Sequence, residues 1–156
     1  MNNKGFSLIE ALVSLVIGAI VIASAISFMI NVTRIATFNN IRGELNDEAR
    51  VIETLVSRDI RMAGYQTPDS ALEISEHGLV SRYIRGGVLN TIEYEFVNNR
   101  LTRSNTVFGS HLTSFDVTTS VVDSDTVGVW VFYSLEKAGV RRNYAFTVYP
   151  RNLNLN

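Results

Sequence analysis

Cysteine is absent from the 156 residues, which excludes disulfide staples, thiol catalysis and thiolate metal sites. Histidine is nearly absent: His77 and His111 stand far apart, so a histidine-based zinc site is disfavoured. Charge imbalance is missing too. A formal net charge of −1 offers no broad basic surface for nucleic acid, and Arg141-Arg142 is too small a patch to argue for one. Proline is confined to Pro68 and Pro150, so nothing before residue 68 forbids a continuous helix. The length suits one domain, and no internal repeat or low-complexity segment is present.

What is present is unevenly spread. Between Glu10 and Arg34 there is no charged residue, and residues 11–30 are almost wholly apolar, relieved by Ser14, Gly18, Ser24 and Ser27. Twenty residues at about 1.5 Å each span roughly the 30 Å hydrocarbon core of a bilayer. The run is apolar on every side, which fits a membrane span rather than an amphipathic surface helix. A cleaved secretory signal is one alternative, with Lys4 as a minimal basic region and Ala23-Ser24-Ala25 as a cut site; an uncleaved anchor is another. Against the first, the apolar run exceeds the roughly 7–15 residues of an ordinary signal core, and Glu10 stands at its start. An ionisable group at the end of a membrane span is costly and calls for a partner.

The sequence Lys4-Gly5-Phe6-Ser7-Leu8-Ile9-Glu10, followed at once by the apolar run, resembles the class III prepilin signal of type IV pilins and pseudopilins. The resemblance implies a leader at residues 1–5, removed by a prepilin peptidase that cuts between Gly5 and Phe6. It implies N-methylation of Phe6, and a Glu10 that meets the Phe6 amino group of a neighbouring subunit during assembly. It also implies other pilins or pseudopilins and an inner-membrane assembly platform as partners. The location would be the inner membrane, single-pass with a periplasmic head, and then the pilus at the cell surface. No enzyme activity and no cofactor are expected of such a subunit.

Beyond the apolar run, Ile35, Phe38, Ile41, Leu45, Ala49, Ile52, Leu55/Val56 and Ile60 recur every three to four residues. This predicts an amphipathic continuation over residues 31–64, with one helix from about Ser7 to Ala63. Its apolar stripe faces the chain's own head. The charges from Arg42 to Arg61 mostly fill the other face. Gly64 is placed for a left-handed helix cap, with Pro68 beyond. The segment Arg58-Asp59-Ile60-Arg61-Met62-Ala63-Gly64-Tyr65 also resembles the helix end of PilW-type minor pilins. Arg58, Asp59 and Arg61 are read as a solvated or head-docking ion pair rather than ligand contacts.

Residues 65–156 read as a β-rich head, for an α+β fold of one long helix on an antiparallel sheet. Expected strands are residues 78–85, 90–97, 100–103, 114–122, 127–135 and 141–149, with hairpins at Asn98-Asn99 and Asp123–Thr126. Nine aromatics, Tyr83, Tyr94, Phe96, Phe115, Trp130, Phe132, Tyr133, Tyr144 and Phe146, are assigned to the core beneath the helix. Asp123-x-Asp125 lacks the spacing of a calcium loop and reads as a turn, and no metal site is expected. The ending Val148–Asn152 is PilW-like as well, and no cysteine pair of the kind carried by major pilins is present. Together these favour a minor pilin that primes or enters the filament. A minor pseudopilin of a type II secretion system and a membrane-anchored periplasmic binding domain remain the alternatives.

Overall fold

The computed structural model describes residues 8–66, 71–75, 78–123 and 126–150, with the side chains of 121–127 outside the description. Helix α1 runs Leu8–Met62 without interruption. The chain falls into two compact units, one ending at Asn40 and one covering Ile41–Asn156. Within the first unit the helix is exposed throughout, save Gly18, which is half-buried.

The second unit joins the C-terminal part of α1 to eight strands, every pairing antiparallel. Strands β1 (Leu72–Ser75), β2 (Gly78–Arg85), β3 (Val88–Val97), β4 (Arg100–Arg103) and β5 (Thr106–Gly109) form one meander. A second meander comprises β6 (Leu112–Asp123), β7 (Thr126–Lys137) and β8 (Val140–Val148). The α+β reading holds, but the single expected sheet is two, and β1 and β5 were not foreseen. Each of those two strands is four residues long, too short to show an alternation.

Local chemistry explains the meanders. Four hairpins close through two residues with positive φ: Gly86-Gly87, Asn98-Asn99, Ser104-Asn105 and Ala138-Gly139. Two successive left-handed residues give the turn whose twist matches that of the flanking strands. Asn98-Asn99 was visible in advance. Ser104 and Ala138 were not, because neither residue type favours that conformation.

The core lies between α1 and the inner faces of both sheets. From the helix come Leu45, Ala49, Ile52, Val56 and Ile60, spaced three or four residues apart. Leu79, Ile92, Tyr94 and Leu101 meet them from the first sheet, and Phe115, Val129, Val131, Tyr133 and Leu135 from the second. The expected stripe therefore packs on the head from Ile41 onward, whereas Ile35 and Phe38 are exposed. Two of the nine aromatics also depart from expectation: Trp130 and Phe132 retain 40% and 42% exposure. Both lie on the face of β7 opposite Val129, Val131 and Tyr133, since neighbouring residues on a strand point to opposite sides. The sequence reading put all nine in the core, although Phe132 and Tyr133 are neighbours on one strand and must face opposite ways.

Candidate assembly segment and helix anchor

The first turns of α1 hold Glu10, exposed, with its backbone carbonyl accepting a 2.8 Å bond from Ser14 Oγ. Ser24, Ser27, Thr33 and Thr37 make the same bond to the carbonyl four residues earlier, at 2.8–3.0 Å. Each hydroxyl is thus satisfied within its own helix, so the polar residues of the run place no unmet donor against lipid. The N-terminal part of α1 is long and apolar enough to cross a membrane. Gly5 and Phe6, the expected cleavage and methylation positions, lie outside the described residues.

At the other end of the helix the polar residues do something different. Asp59 is 2% exposed, on the buried side of α1, not on the charged outer face expected for it. Its Oδ2 accepts from Tyr94 Oη at 2.5 Å and from Arg103 Nε at 2.7 Å; its Oδ1 accepts from Arg58 Nε at 3.1 Å. Ser81 Oγ donates to the Asp59 backbone carbonyl at 2.7 Å. Three strands of the first sheet, β2, β3 and β4, therefore converge on one helical residue. A buried carboxylate is costly unless its oxygens are filled, and here cationic and hydroxyl donors fill them. Burial and the adjacent Asp59 carboxylate push the Tyr94 phenol well above its ordinary pKa. The same carboxylate, by hydrogen bonding, raises the Arg103 guanidinium above its already high value. Of the two sequence readings of Asp59, the docking ion pair is the one realised.

Further latches run along the flanks of the helix. Glu48 Oε1 accepts the backbone N–H groups of Ser110 and His111 at 2.7 and 3.1 Å, and Glu48 Oε2 faces His111 Nδ1 at 2.7 Å. Tyr133 Oη donates to the Ala49 carbonyl at 3.0 Å, and Tyr144 Oη to Asn46 Oδ1 at 2.8 Å. Lys137 pairs with Glu44, and this holds the Glu44 carboxyl below its usual range. Sequence reasoning placed Glu44 and Glu48 on the solvated face. Their partners sit about 60 to 90 positions away, and nothing local marks them.

Cap geometry completes the anchor. Gly64 has φ +78°, as its position predicted, but its N–H donates to the Arg82 carbonyl at 3.0 Å rather than back into the helix. The cap is thus also a seam to β2, reinforced by Ile84 N–H donating to the Tyr65 carbonyl at 2.9 Å. Over the last turns of α1 lies an open groove of about 820 Å³, whose lining includes Glu53, Ser57, Arg58, Arg61 and Tyr65. Among the described residues no group of three or more His, Asp or Glu side chains gathers as a metal site. The Asp123-x-Asp125 pair and the end of Val148–Asn152 lie outside the described side chains.

The apolar helix that opens on Glu10 follows closely on Lys4-Gly5-Phe6, and its far end is pinned to the β-rich head. Residues 1–26 match the family described as the prokaryotic N-terminal methylation motif. The N-terminal segment of the chain is therefore similar to that of type IV pilins. A pilin-like protein, PilA3, of Thermus thermophilus is 33% identical over 62 residues, which cover 40% of this chain and 27% of that relative. The chain therefore aligns with about a quarter of the length of the curated relative it matches. No solved structure matches it. Within Arg58–Tyr65, Asp59 makes the helix anchor and Gly64 the cap.

Proposed function

We propose that this chain is a structural subunit, a minor pilin, of a type IV pilus. The carrying observation is the methylation motif over residues 1–26, continuous with an apolar helix whose only carboxylate before residue 34 is Glu10. In this reading a prepilin peptidase removes residues 1–5, and Phe6 becomes the methylated N-terminus. The helix waits in the inner membrane with its head in the periplasm, then leaves the bilayer for a bundle of sister helices on the assembly platform. Glu10 acts as a gauge of axial register. Moved into a bundle, its carboxylate is expensive unless a cationic amino terminus lies beside it, and only the correct stagger supplies one. The Arg58–Tyr65 segment supports a minor pilin over a secretion pseudopilin. The chemistry is that of a building block, not of an enzyme.

Mass analysis of the mature N-terminus tests the reading. Methyl-Phe6 is the expected terminus in cells with an active prepilin peptidase. An intact Met1, or a start at Ile26 or Ser27, overturns it.

A further inference from the structure

Sheet edges in this head are guarded, with one exception. β1 and β5, the edges of the first sheet, have four residues each, and β5 joins its neighbour through a bulge between Leu101 and Thr102. β6, one edge of the second sheet, is bulged at both ends and lies against β1, β2 and β4. β8, the other edge, is nine residues long and pairs with β7 through all nine without a register shift. Among the described residues no strand pairs with its far side. Short strands and bulges are the means by which proteins block unwanted pairing, and a long regular edge is a ready template for another strand.

β8 also carries a buried donor without a partner. Its residues include Arg141 and Arg142 and no acid. Arg141 stands across from Glu136 in the ladder, an opposite charge, whereas Arg142 stands across from the buried Leu135. The Arg142 Nε is buried without a hydrogen-bond partner. Tyr144 and Phe146, on the same face, are only partly buried against the core. A strand laid beside β8 would cover those two rings and could place a carboxylate beside Arg142, because same-face residues on adjacent strands are in reach of one another.

We infer that β8 is a docking edge for an extended segment of another polypeptide, paired by main-chain hydrogen bonds and carrying an acidic side chain opposite Arg142. The inference rests on the head alone and does not depend on the pilus reading. The occupant is apolar on the face shared with Tyr144 and Phe146, and acidic at one position of that face.

The probe is a nine-residue peptide alternating threonine with valine, with one valine replaced by glutamate, added to the full chain in detergent micelles. A second peptide carries lysine instead of the glutamate. Two further versions are N-methylated on one or the other alternate set of amides. Fluorescence anisotropy reads affinity, and amide exchange by NMR reads the location. The glutamate peptide should bind about tenfold or more tighter than the lysine peptide, since like charges repel at close quarters. Arg142→Gln should bring that ratio close to one while leaving the fold intact, as the Arg142 Nε contributes no hydrogen bond to the head. Methylation of one amide set should abolish binding and of the other should not, because a strand faces its neighbour with alternate residues. Exchange should slow in β8 and not in β6. Equal affinity for the two peptides, tolerance of methylation on both sets, no binding of the glutamate peptide at millimolar concentration, or β8 amides already protected throughout in the free chain would each overturn the inference.

Discussion

At the residue scale the molecule is decided by where single polar atoms find partners. Asp59 is the clearest case, since its carboxylate is sealed in the core and held by Tyr94 and Arg103. Asp59→Ala removes one member of a buried pair. Because Arg103 keeps some access to water, the expected cost is about 2–4 kcal/mol, at the lower part of the range for such losses. A urea titration of the full chain in micelles, followed by tyrosine circular dichroism, measures it. Tyr94 yields a prediction in pH. Its folded pKa is raised by burial first and by Asp59 second, so the folded state holds the phenol proton more tightly than the unfolded chain does. That contribution is fully present below about pH 10, the unfolded value, and is lost as pH rises above it. Tyr133, raised by burial, acts in the same direction. Stability should fall with rising pH above about 10, and Tyr94→Phe should make that fall shallower. An identical alkaline slope in the variant would contradict the assignment.

Elements obey local rules, with a few positions held against their preference. Ala138 sits at φ +49° in the β7–β8 hairpin, where glycine carries no steric penalty. Ala138→Gly should therefore stabilise the head by about 0.5 kcal/mol, the relief of strain exceeding the entropy cost. Thermal melting resolves the sign. Gly78 shows the converse. A Cβ there would lie 2.4 Å from the Tyr94 carbonyl oxygen, which the β2–β3 ladder cannot easily give up. Gly78→Ala should cost about 1–3 kcal/mol through backbone displacement, measured in the same melts. Helix α1 itself is two elements in physical terms. Up to Asn40 its side chains meet no core of their own, whereas from Ile41 its stripe of aliphatic residues is sealed by both sheets. Ile52→Ala, at 0% exposure, should cost about 2–5 kcal/mol.

At the scale of the whole molecule, the proposed assembly role predicts that two classes of variant separate. Glu10→Ala should leave head stability and cleavage after Gly5 unchanged while lowering entry into filaments, read by immunoblot of sheared pili beside whole cells. Normal filament entry of that variant would remove the register role. Asp59→Ala should act the other way, weakening the head while leaving the N-terminal chemistry alone.

The sequence by itself determined the apolar run, its lone carboxylate, the extent of the helix and most strand positions. These are properties of near neighbours: hydropathy over twenty residues, spacing of three to four, alternation of two, and turn residues such as Asn98-Asn99. Only the tertiary structure decided that Asp59 turns inward and Glu48 latches to Ser110 and His111, that the strands divide into two sheets, and that Trp130 and Phe132 face out. Each of those outcomes depends on a partner tens of residues away in the chain. A period fixes which side chains share a face, but which face is buried follows from what the rest of the chain packs against it.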